Sequence, residues 1–184
     1  MYVIGTKQLG LVFQGGKQHT LQLTAFSDSD WGGELAEGRS TSGKLIMLNG
    51  CVIDWASKLQ RTDAKSSAEA EYVAAALTAQ SVVYLKQLLE EIGFPLDATP
   101  ALKVDNEACI KCAKNPVYHG RMKHLHISYH FLRQHEALGS YKIGHIDGKW
   151  NPADHFTKPL QGELFERHRK KIVQASNPSQ ETLD

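Results

Sequence analysis

The chain has 184 residues, 41% of them hydrophobic, and a formal net charge of +1, which fits one globular domain with a single core. No apolar run approaches the ~20 residues of a membrane span, and the first residues lack the basic-then-apolar pattern of a signal peptide. Three cysteines, Cys51, Cys109 and Cys112, cannot all pair with one another and fit a reducing compartment.

In chain order, Leu21 to Ser27 reads as a strand. Lys44 to Leu48 and Val52 to Ser57 read as two more, joined by Asn49-Gly50, a strong hairpin signal. Ser66 to about Ile92 reads as a long helix, ended by Gly93 and Pro95. Its apolar seam runs through Ala75, Val82, Leu85, Leu89 and Ile92. Ala101 to Val104 is a short strand, and Asp105 to Lys114 a helix closed by Asn115-Pro116. A further helix spans Lys123 to Ala137 and stops at Gly139. Tyr141 to Ile146 is a strand, and from Pro152 a terminal helix begins, interrupted at Pro159. This order predicts an α/β fold, a five-stranded mixed sheet covered by helices.

Four acids stand at or near strand ends or on a helix: Asp28, Glu71, Asp105 and Asp154. Folded into one cluster they would repel one another unless cations sit between them, which points to two-metal phosphodiester hydrolysis. Glu71 extends the helix seam backward by four residues and so faces the sheet. Glu69, about 160° away around the helix at ~100° per residue, is expected to face away and to act as an N-terminal acid favouring the helix dipole. Asp28 and Asp30 share one strand face, and periodicity does not separate them. Asp105 and Asp154 each have a plainer reading, as a helix N-cap or an acid at a helix start.

The stretches Phe26-Ser-Asp-Ser-Asp-Trp-Gly32, Arg39-Ser-Thr-Ser-Gly43, Ser66 to Tyr72, Val104-Asp-Asn106, Lys123 to Phe131 and Ala153-Asp-His-Phe-Thr-Lys-Pro159 occur in that order. Together they resemble the ribonuclease H domain of copia-type long-terminal-repeat retrotransposons. The resemblance runs from about Leu21 to Leu160 and selects Asp28 over Asp30. It implies a ribonuclease H-like fold over residues 20–171. Residues 1–19 then read as a remnant of the reverse transcriptase connection, and 172–184 as a flexible C-terminal tail. It further implies that Asp28, Glu71, Asp105 and Asp154 hold two Mg²⁺ ions, with Mn²⁺ as a substitute, and cut the RNA strand of RNA–DNA hybrids to leave 5′-phosphate and 3′-hydroxyl ends. The expected partners are the hybrid and the reverse transcriptase domain of the same polyprotein, with no membrane. The expected location is intracellular, in a cytoplasmic virus-like particle or the nucleus. The alternative is an inactive ribonuclease H-like module that binds nucleic acid or protein.

Ala108 to His135 contains no Asp or Glu, and this basic stretch directly follows a candidate catalytic acid. Asn106, Lys111, Lys114, Arg121, Lys123 and His124 are therefore the expected nucleic-acid contacts; Arg167 to Lys171 form a second basic group. Cellular ribonucleases H carry a histidine in the loop before the last helix. Here the loop Asp147-Gly-Lys-Trp-Asn151 has none, as is common in copia-type domains, and His145 and His155 flank it. Cys109-Ile-Lys-Cys112 has zinc-like spacing but no second Cys pair, and reads as core.

Overall fold

The computed structural model describes residues 6–13, 20–33, 38–61, 63–115 and 126–175. The main sheet contains β2 (Leu23–Asp30), β3 (Thr41–Leu48), β4 (Cys51–Leu59), β5 (Ala101–Val104) and β6 (Lys142–His145). Its order is β4-β3-β2-β5-β6. The β2–β3 and β3–β4 pairs are antiparallel, whereas β5 runs parallel to both β2 and β6. The five-stranded mixed sheet read from the sequence is therefore present. A separate two-stranded ribbon pairs β1 (Leu9–Gly10) with β7 (Gln174–Ala175).

Local chemistry fixes the turns. Asn49 and Gly50 both have positive φ, 49° and 79°, as a two-residue hairpin that follows the strand twist requires. Asn49 also accepts from the Gln22 amide at 2.8 Å and donates to Thr20 O at 2.9 Å. The long helix α1 (Ser67–Glu91) opens on Ser66, whose hydroxyl accepts from the Glu69 amide. It ends where Gly93, at φ 87°, lets the Phe94 amide reach Leu89 O at 2.8 Å, a Schellman closure.

α1 packs on β2 and β3 on one side and on α3 (His126–Ala137) on another. The main core gathers Leu23, Ala25, Ile46, Tyr72, Ala75, Val82, Leu102, Ile143 and Leu132. The expected seam departs from this at its far end: the last fully buried position of α1 is Val82, and Ile92 is 57% exposed. A helix of 25 residues is about 37 Å long, longer than the strands it covers, so its last turns project past the sheet. The terminal region also differs from a single interrupted helix. It forms a 3-10 turn at Gly148–Trp150, a second at Pro152–Phe156, and then α4 (Gly162–Ile172). Between α1 and α3 lies α2 (Glu107–Lys114). No helix of the described residues is long and apolar enough to cross a membrane.

Candidate active site

β2 and β5 are parallel neighbours, so both carry their last residues to the same edge of the sheet. Asp28 sits on β2 with 1% of its surface exposed, and Asp105 directly follows β5. The first turns of α1 cross this edge. There the Glu71 carboxylate accepts from the Ser29 amide at 3.1 Å. Asp28, Glu71 and Asp105 each offer a carboxylate oxygen, and these oxygens all lie within 4.8 Å of one another. Asp154 approaches from the second 3-10 turn. It stands outside that trio but is joined to Asp28 through Lys158, whose ammonium is 3.8 Å from Asp28 Oδ2 and 3.2 Å from Asp154 Oδ2.

The plainer roles fall to neighbours. Asn106, not Asp105, caps α2: its side chain accepts from the Cys109 amide at 3.0 Å. Asp105 is thereby left out of the cap. Glu69, in the first turn of α1 behind the Ser66 cap, accepts from the Lys65 amide at 2.9 Å. It is nevertheless buried, 7% exposed, rather than facing freely outward, because this bond folds its side chain back over the chain entering the helix. Asp30 is only half-buried, and its carboxylate lies against Gly33, where a methyl would come within 1.7 Å of Oδ2.

The electrostatics are those of crowded, poorly solvated acids. Burial, then Asp28 and Asp105, push Glu71 up to about 9. Burial and Asp28 likewise raise Asp105, and burial followed by Asp28 raises Asp154 to about 7. Burial lowers Lys158, but Asp28, Asp154 and Asp105 outweigh it and its net shift is upward. Glu71 Oε2 and Asp154 Oδ1 are buried without a hydrogen-bond partner among the described residues. Buried acceptors in this state are costly, and a hard divalent cation is a ligand that would satisfy them. The all-carboxylate donor set suits Mg²⁺ or Mn²⁺ and lacks the imidazole and thiolate ligands favoured by zinc.

Four residues that build the site were not picked out as site residues from the sequence. Asn151 is fully buried and donates to Ser27 O at 2.9 Å, while its Oδ1 accepts from the Ala153 amide at 3.2 Å. It ties the turn bearing Asp154 to the strand bearing Asp28. Gly43, opposite Asp28 in the β2–β3 register, makes room for that turn: a methyl there would lie 2.6 Å from Ala153 O and from Thr157 Cγ2. The Thr157 hydroxyl donates to Asp28 Oδ2. Lys158 supplies the cation between the two aspartates. Thr157, Lys158 and Gly43 lie inside the matching motifs, but their contacts join parts of the chain more than a hundred residues apart and follow no local period.

Among the expected nucleic-acid contacts, Asn106 is engaged as a helix cap, and Lys111 pairs with Glu107 at 3.1 Å on an exposed face. Lys114 lies exposed at the end of α2. Arg121, Lys123 and His124 fall outside the described residues. His155 turns its ring toward Phe165, 5.1 Å between centroids. His145 is exposed at the end of β6, near enough to lower Asp105 slightly by its charge. Cys109 and Cys112 are buried in the main core.

No family model matches the chain. It is 36% identical over 171 residues to the retrovirus-related Pol polyprotein from transposon RE2 of Arabidopsis thaliana, covering 93% of this chain and 12% of that protein. A similar polyprotein, from transposon RE1 of the same plant, is 37% identical over 171 residues, again 93% of this chain and 12% of the relative. The chain thus spans about an eighth of the length of these curated relatives. Among solved structures, LC11-RNase H1 isolated from compost superposes with a TM-score of 0.56 at 16% identity, covering 74% of this chain and 92% of that one. The sequence relatives and the fold agree on the identity of this segment: the chain belongs with the ribonuclease H domains of copia-type retrotransposon Pol polyproteins.

Proposed function

We propose that the domain is an active, metal-dependent ribonuclease H that cuts the RNA strand of RNA–DNA hybrids, and that Asp28, Glu71, Asp105 and Asp154 form its centre. The observation that carries this reading is the convergence of three carboxylates from three elements within 4.8 Å, with oxygens of Glu71 and Asp154 that have no hydrogen-bond partner among the described residues. These four acids would hold two Mg²⁺ ions, or Mn²⁺ in their place. Such ions supply charge stabilisation at a phosphate and acidity to an attacking water.

The protein's own groups prepare that site. The Ser29 amide orients Glu71, and the Thr157 hydroxyl orients Asp28. Asn151 fixes the distance between Asp154 and β2. Lys158 offsets negative charge between Asp28 and Asp154, which lowers the repulsion a phosphate would meet on entry. The reverse transcriptase of the same polyprotein is the proposed partner that presents the hybrid, within a cytoplasmic particle.

The test compares Mg²⁺-dependent cleavage of a labelled RNA–DNA hybrid, a DNA duplex and an RNA duplex of one sequence. Cleavage of the RNA in the hybrid alone, lost in Asp28→Asn, is the expected result. Binding without cleavage under any divalent ion would replace this reading with that of an inactive binding module.

A further inference from the structure

A group of side chains beside the acids takes no part in the site described above. Gly148 opens the 3-10 turn before Asp154, and a methyl there would lie 3.2 Å from Asp105 Oδ2. Two residues on, Trp150 is 45% exposed. Arg167 and Lys171, one turn apart on α4, hold it in place. The Arg167 guanidinium lies 4.5 Å from the indole centroid and donates to Lys149 O at 3.2 Å. The Lys171 ammonium lies 5.7 Å from the same ring and donates to Trp150 O at 3.2 Å.

The two cations have no carboxylate partner among the described residues. Asp147 pairs with Lys149 at 3.0 Å and Glu166 with Arg169 at 2.7 Å, and Glu163, one turn before Arg167 on the same helix, forms no ion pair with it among the described residues. Burial and the neighbouring Arg167 both lower Lys171, as expected of like charges held together without an anion. Fastening a loop requires only the two carbonyl bonds. It does not require an exposed indole or two uncompensated cations beside it. A flat ring held in one orientation suits a nucleobase, and paired cations suit a phosphate.

We infer that Trp150, Arg167 and Lys171 form a single-strand nucleic-acid contact, in which an unpaired base stacks on the indole and the adjoining phosphate meets the two cations. The 3-10 turn that carries Trp150 begins at Gly148, beside Asp105, so the contact would engage a strand passing that end of the catalytic centre. It deepens the hybrid-cleavage reading by adding a frayed or displaced strand to the ligands of that site. It does not depend on hydrolysis.

The test uses the full chain in EDTA, where no cleavage occurs, with a twelve-nucleotide oligothymidylate as probe. Binding is followed by anisotropy, and Trp150 by fluorescence. Base–aromatic stacking predicts that Trp150→Ala weakens binding by about five- to hundredfold, while Trp150→Phe keeps most of the affinity. The probe should quench wild-type fluorescence, and Trp150→Phe should lose that quenching. Arg167→Gln with Lys171→Gln should lower the salt slope by about 0.7, the value for one phosphate contact on a single strand. Equal affinity in wild type and Trp150→Ala would overturn the proposal. So would heparin displacing the probe with no difference between those two proteins, which would mark a bare charge patch. Should Trp150→Ala fail to fold, Trp150→Phe decides: unchanged quenching places the stacking elsewhere and refutes the inference. Hybrid cleavage in Mg²⁺, measured separately, reports on the catalytic reading alone.

Discussion

Replacing Glu71 by Gln should destroy cleavage and yet stabilise the metal-free protein. Glu71 is 6% exposed, and burial with its acidic neighbours raises it from 4.5 to about 9. Below pH 4.5 both folded and unfolded chains keep this proton and the group contributes no penalty. As pH rises from there toward 9, the unfolded chain releases the proton while the folded site retains it. Stability therefore falls across that window, at about 1.4 kcal/mol per pH unit. At pH 7 the accumulated penalty is on the order of 3 kcal/mol. Gln does not titrate, so urea unfolding in EDTA should show Glu71→Gln more stable than wild type by about 1–3 kcal/mol at pH 7. The difference should shrink toward zero near pH 4.5. Adding Mg²⁺ should then narrow or close the gap, because a ligand at a hundredfold excess over its Kd adds about 2.7 kcal/mol to a protein that binds it, and the variant has lost a ligand. A metal-free stability difference that is absent at pH 7, or that does not change with pH, would refute the burial argument.

Four further outcomes follow from the same geometry. Asp28→Asn and Asp105→Asn should each abolish hybrid cleavage with the fold retained by circular dichroism, whereas Glu69→Gln should keep most activity and most of its stability, since Gln keeps an oxygen that can accept from the Lys65 amide. Gly43→Ala should cost about 1–3 kcal/mol by overpacking and depress cleavage by displacing the Asp154 turn; wild-type Mg²⁺ affinity by calorimetry would show that the turn can yield. Asn151→Ala leaves Ser27 O without its donor, so a loss of about 1–3 kcal/mol is expected in urea titrations, together with weaker Mg²⁺ binding. Lys158→Met should lower metal-free stability at pH 8, where Asp154, held up to about 7, is ionised beside Asp28; Mg²⁺ should recover more of that loss than it adds to wild type.

The sequence was most readable where physics is local. The 3.6-residue period separated Glu71 from Glu69, and Glu71 does meet the sheet through the Ser29 amide. The Asn49-Gly50 hairpin needs left-handed backbone at both positions, and few residue pairs tolerate that. Capping was harder to place. Asp105 and Asn106 both suit an N-cap, and only the start of α2 at Glu107 assigns the bond to Asn106. Least readable were contacts that exist only after the chain has closed on itself. Lys158 looks like a surface lysine until Asp28, 130 positions upstream, is folded against it. Gly43 looks like an ordinary strand residue until the Asp154 turn lies over it. The polar stretch around Trp150 likewise gave no local sign that α4 would come to rest against it.

The ribbon of Leu9–Gly10 and Gln174–Ala175 has a mechanical consequence. Its strands are antiparallel, with Leu9 opposite Ala175, so the incoming and outgoing chain share one end of the ribbon. Polypeptide joined upstream and downstream would meet at a single point, and the domain would hang there as a pendant loop. Tension between those neighbours would fall first on the ribbon. It would load the ribbon by peeling, one bonded pair at a time, which resists far less than shearing a whole ladder at once. The short ribbon would therefore open under load while the five-stranded sheet and its acids stayed unstrained.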